Sequence, residues 1–312
     1  MHTLSSVACG SLALALALGA CGSSQNSSSA TSGPLAGLAA KDIITTTAAK
    51  TPATSLKFDM DGKLSVDTSK LSGIPADQLG ALGSLASGLT VSGTGEQEST
   101  QRQSVTLNLK PLVDQPLTAV LYDGQSYFSL DGGKTFGSAG SLRSLTGGIG
   151  ITPSDITGYL NALGTSVKDA GPVTKDGVAT EHITATLDKD FLGKALGSAP
   201  GAGQSNLVQA FGSLITLRSG NLDAWVRQED GRLDRTTMSF AIDFDLGKLG
   251  SIFSGSGGAT PQSGVPTGVL TLALNLTIHL HDYGASIHIT KPTVDANPPT
   301  LPPGIGGSSI FG

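Results

Sequence analysis

Between Leu272 and Leu280 every second residue is aliphatic. Leu272, Leu274, Leu276, Ile278 and Leu280 fall on one side of an extended chain, and Thr271, Asn275, Thr277, His279 and His281 on the other. Side chains alternate across a strand with period two, so the stretch predicts a strand with one buried and one wet face, as in antiparallel sheets. The pattern recurs through much of the chain and is punctuated by Asp-Gly pairs at 61–62, 123–124, 176–177 and 230–231. Asp-Gly is a favoured hairpin dipeptide, so each pair predicts a turn between strands. A final hairpin is expected to turn at Asp282-Tyr283-Gly284, which would bring His279 opposite His288.

Helical spacing is confined to other segments. Leu35, Leu38, Ala39, Ile43 and Ala49 predict a helix over 35–50, with Pro52 just past its end. Leu71 to Leu89 is a Gly-interrupted helical or loop insert. A short helix is expected from Thr152 to about Leu163, and two helical pieces from Asp188 to Leu217. About ten long antiparallel strands with helices between them predict an α+β fold, and one sheet of that width should curl.

The first residues carry a different signal. The apolar run Leu12–Ala20 is far below the ~20 residues that span a bilayer but suits the core of a secretory signal. Leu18-Gly19-Ala20-Cys21 resembles a bacterial lipobox. That resemblance implies cleavage before Cys21 and diacylglyceryl attachment to its thiol, although the segment before it holds His2 and no Lys or Arg. Both cysteines lie in the first 21 residues, so the exported part has no disulfide framework. The expected divisions are a signal peptide at 1–20, lipidated Cys21 and a Ser/Gly-rich tether at 21–34, a folded domain at 35–292, and a Pro/Gly-rich tail at 293–312.

Composition excludes some partners. The net charge of −5 argues against nucleic-acid binding, which needs a basic patch. The sequence contains no G-x-S-x-G elbow, no G-x-G-x-x-G and no Walker loop, so no enzyme activity and no cofactor are expected. Asp243 and Asp245 alternate with Ile242 and Phe244, and a wet strand face accounts for them better than a glycosidase carboxylate pair. His279 and His281 share a face and, with His288 opposite, form the one candidate metal cluster. Imidazole is a common metal ligand, but no acidic or thiol ligand accompanies the three. The preferred reading is a polar strand face, with no metal.

Four segments carry a family resemblance: "LYDGQSYFSLDGGKTF" (121–136), "DAGPVTKDGVATEHITATLD" (169–188), "LDAWVRQEDGRLDRTTMSF" (222–240) and "HDYGASIHITKP" (281–292). With the lipobox, tether and helix before them, they resemble the LppX/LprA/LprF/LprG lipoproteins of actinobacteria and, more distantly, the LolA/LolB carriers. The resemblance implies a U-shaped antiparallel half-barrel with helices over its concave face and an apolar cavity between them. It implies a membrane-anchored lipoprotein on the extracytoplasmic side that binds or transfers lipid or acyl chains; an envelope transporter is the expected partner and a monomer the expected state. The alternative is an envelope interaction or sensory lipoprotein whose half-barrel is filled. From the strand faces, Leu107, Val120, Ile183, Leu187, Ile242, Leu274, Leu276 and Ile278 are expected on the concave side. The same residues would form an ordinary core, and the sequence does not separate the two.

Overall fold

The computed structural model describes residues 33–73, 88–111, 113–139, 156, 158–160, 163, 166–188, 191, 214–248 and 267–296. All of them belong to one compact unit, Ser32–Gly312. Cys21 and the tether lie outside the described residues, as do most of the 71–89 insert and much of the predicted helices at 152–163 and 188–217.

Among the described residues the fold is an open antiparallel sheet of eleven strands with few helices. Helix α1 (Ala40–Lys50) and a single 3-10 turn (Thr51–Ala53) lead into β1 (Leu56–Ser72). Then come β2 (Leu89–Ser99), β3 (Arg102–Lys110), β4 (Leu117–Tyr122), β5 (Gln125–Ser129) and β6 (Gly137–Ala139). The second half holds β7 (Val167–Lys175), β8 (Val178–Thr186), β9 (Ile215–Arg227), β10 (Leu233–Asp245) and β11 (Thr267–His281). The spatial order is β6-β5-β4-β3-β2-β1-β11-β10-β9-β8-β7. The chain therefore steps outward from β1 to one edge, passes to the opposite edge, and steps back to the centre. Between β6 and β7 in the chain, Ile156, Leu160 and Leu163 are buried in the same core as the apolar face.

Register sorts the residues into two faces. One row across the apolar face runs Leu117, Leu107, Gly93, Met60, Ile278, Thr236, Ala224 and Ile183. The strands expected around Asp123-Gly124, Asp176-Gly177 and Asp230-Gly231 form as hairpins. Asp123, Gly124, Asp176, Gly177 and Gly231 all have positive φ, a region Asp and Gly enter at low cost.

Three expectations are corrected. Asp61-Gly62 is not a turn: β1 runs straight through it, because β2 on one side and β11 on the other pair with it without a break there. A Cβ at Gly62 would lie 2.8 Å from the carbonyl oxygen of Asn275, so the glycine serves a close approach of strands. The helix expected up to Leu217 gives way to β9 at Ile215, since β10 supplies a paired edge there. The last hairpin does not form. β11 turns at Asp282–Gly284 as expected, but both its edges are occupied by β1 and β10. The chain after Ala285 instead runs beneath the other half of the sheet.

Candidate functional site

The apolar face is closed at one end and only half-covered at the other. The closed end is where the short turns lie. There Leu56, Leu233, Val226 and Leu280 are all 0% exposed. Helix α1 supplies Ile43, Ile44 and Ala48, which are buried, and Ile43 and Ile44 join the same core as the strands. Its C-terminal end is bonded to the sheet. The Thr51 hydroxyl accepts the Leu233 N–H at 3.2 Å, and Lys50 Nζ donates to the Asp230 carbonyl at 3.0 Å. Gln97 Nε2 donates to the Pro52 and Thr54 carbonyls. Tyr283 is partly buried at the same end. Its hydroxyl donates to the Leu233 carbonyl, and burial raises its pKa. Arg227 and Arg232 pass within 5.8 and 5.2 Å of its ring, a cation–π distance.

Glycines lower the floor of this face. The Phe58 ring lies across Gly95, where a Cβ would come within 2.1 Å of it, and Leu187 lies across Gly220 at 2.6 Å.

Toward the opposite end the apolar side chains continue but lose their cover. Leu64, Val91, Leu109, Leu217 and Phe240 are only partly buried while packed on the core. Leu64, Leu274 and Phe240 form one register row, with Leu272, Ile242 and Leu217 in the next. No charged side chain interrupts these two rows. Leu107, Ile183, Leu187, Ile242, Leu274, Leu276 and Ile278 all lie on this face and are buried. Val120 is a correction. It is in register with Ser104 and Tyr127 on the polar face, where Ile289 covers it in a separate small cluster. Strand β4 is buried on both faces at Leu117–Val120, so its alternation was lost in the sequence.

The half-covered residues were not singled out in the sequence because alternation assigns a side chain to a face and says nothing of its cover along the strand. The usable signal was position: they lie far from the tight turns and near the long connections.

The histidine cluster is also corrected. His279 and His281 are neighbours on the polar face, their rings 5.3 Å apart, but His279 is in register with Asp59 and Arg235, not His288. His288 is exposed on the segment beneath the sheet. Carboxylates engage the two strand imidazoles: His281 Nε2 is 3.3 Å from Asp59 and His279 Nε2 is 4.0 Å from Asp234. Among the described residues no group of three His, Cys, Asp or Glu side chains could hold a metal ion. Trp225 stacks on His182 at 4.8 Å on the same polar face. Among the described residues no helix is long and apolar enough to cross a membrane.

No protein-family model and no curated protein matches the chain. Solved structures do. Lipoprotein LppX of Mycobacterium tuberculosis is 13% identical, with 80% of this chain and 97% of that one covered and a TM-score of 0.41. LprF from Mycobacterium bovis is 13% identical, covering 81% and 96%, at 0.39. A LolA superfamily protein from Nitrosomonas europaea is 8% identical, covering 78% and 94%, at 0.26.

Proposed function

We propose that the chain is a lipoprotein, anchored through acylated Cys21 on the extracytoplasmic side of the membrane, whose apolar face takes the acyl chains of a lipid. The observation that supports this is the gradient of cover along the strands. The same apolar face is sealed by α1 at one end and half-buried around Leu64, Leu217 and Phe240 at the other. Binding sites for small molecules are mostly apolar concavities with few polar groups. Hydrocarbon alone supplies the energy: burial gives ~0.8 kcal/mol per CH2, so two sixteen-carbon chains offer on the order of 20 kcal/mol before ordering and association costs. Two acyl chains at Cys21 would hold the protein stably where one would not, and the tether would let the domain reach away from the surface. Transfer to an envelope transporter belongs to the same reading.

Native mass spectrometry of the Cys21→Ala protein, followed by lipid extraction, tests the proposal. The substitution removes covalent lipid, so any mass increment is cargo. A diacyl lipid bound near one-to-one is expected. A clean apo mass that stays clean on adding diacyl lipid would overturn the cargo reading and leave the filled, protein-binding lipoprotein.

A further inference from the structure

The polar face carries a concavity of its own, and side-chain length explains its profile. One register row begins on β8 and β9 with His182 and Trp225 and continues through Arg235 and His279. These are long side chains with planar groups, two of them stacked ring to ring. Past Asp59 the same row drops to Thr94, Thr106 and Thr118. On the far side the chain rises again. The segment after the Asp282–Gly284 turn crosses beneath the sheet, where Ile287 and Ile289 pack on Val120 and Tyr127. It is held by the Ser55 hydroxyl, which donates to the Ala285 carbonyl at 2.6 Å, and by the Glu98 carboxylate, which accepts the Ile289 N–H at 2.9 Å. Long side chains, then a low floor, then a second wall make a groove.

The groove has a volume of about 350 Å³, within the ~300–1,000 Å³ of small-molecule sites. Thr94, Ser104 and Thr106 line it with hydroxyls, and Lys57, Asp59, Glu96 and His281 line it with charged or titratable groups. Its chemistry excludes most ligands. Phe58 turns its ring to the opposite face across Gly95, so hydrocarbon finds little surface. An anion would meet two carboxylates. A cation would compete with groups already in place, because Lys57 Nζ is 3.8 Å from Glu96 and His281 Nε2 is 3.3 Å from Asp59. No described group there could hold a metal ion. What remains is a neutral molecule rich in hydroxyls. Hydroxyl floors both donate and accept, and carboxylates accept from neighbouring hydroxyls without needing a charge on the ligand.

We propose that this groove binds a neutral saccharide, with Asp59 and Glu96 accepting from its hydroxyls and Thr94, Ser104 and Thr106 holding it from below. The site is independent of the acyl-chain face, being on the other side of the sheet. Isothermal titration and saturation-transfer NMR of the full-length protein, with maltotriose and chitotriose as probes, test it. Millimolar binding of at least one trisaccharide is expected, weakened tenfold or more in the Asp59→Asn, Thr106→Val double variant. If that variant fails to fold, Ser104→Arg fills the groove without removing a partner and should abolish binding. Lipid capture by the same variants should be unchanged. Absence of binding for both sugars, or binding that survives the filled groove, would overturn the proposal.

Discussion

The two ends of the sheet are built by opposite means. At one end the strands are joined by short turns at Thr100–Gln101, Asp123–Gly124, Asp176–Gly177 and Gln228–Arg232. Here α1 docks, and the core residues reach zero exposure. At the other end the strands are joined by long connections at 73–88, 187–214 and 246–266, and several apolar side chains of the described strands there, Leu64, Leu217 and Phe240 among them, are only partly buried. Short turns fix the chain where strands end and allow close packing. The lesson is that one continuous apolar stripe can be fully buried at one end and in part exposed at the other.

The comparison can be broken hardest at Gly95. A Cβ there would sit 2.1 Å from the Phe58 ring, which is 1% exposed. Gly95→Val should cost on the order of 3 kcal/mol, read as a lower urea midpoint, or prevent folding. A midpoint unchanged from the parent would show that the closed end is not tightly packed.

A matched pair sharpens it. Leu280→Ala at the closed end should cost about 3 kcal/mol, as for a fully buried leucine. Leu64→Ala at the half-covered end should cost only about 1 kcal/mol, because less area leaves water. Lipid capture should respond in the reverse order, with Leu64→Ala reducing it more than Leu280→Ala does. Equal stability costs at both positions would erase the distinction between the ends.

The smallest effect concerns Asp234, buried at the bulge where β10 begins. Burial raises its pKa, against the pull of His279, Arg235 and Arg227. A carboxyl whose pKa is higher folded than unfolded stabilises the fold least once it ionises, so its contribution falls as pH rises through the raised value. Asp234→Asn should therefore gain about 1 kcal/mol or less over the parent near neutral pH, and the gain should vanish in acid. A gain independent of pH would mean that ionisation is not the cause.

Much of this was legible in the sequence. Alternation at 272–280 and the Asp-Gly turns at 123, 176 and 230 gave strands in nearly their final bounds. Local rules failed where both neighbours of a strand decided the outcome. Asp61-Gly62 has the composition of a turn, yet pairing on both sides of β1 pulls it straight. His288 has the spacing to face His279, yet the edge it would need is filled by β1, more than two hundred residues earlier in the chain. Val120 alternates into the wrong face because β4 is buried on both.

The sequence by itself determined the strands, their wet and dry faces and most of the turns, because side-chain alternation and backbone preference act over a few residues. Only the tertiary structure decided which strands became neighbours, where α1 closed the apolar face and where that face stayed half-covered. Those outcomes depend on contacts between residues far apart in the chain, whose pairing has no local signature.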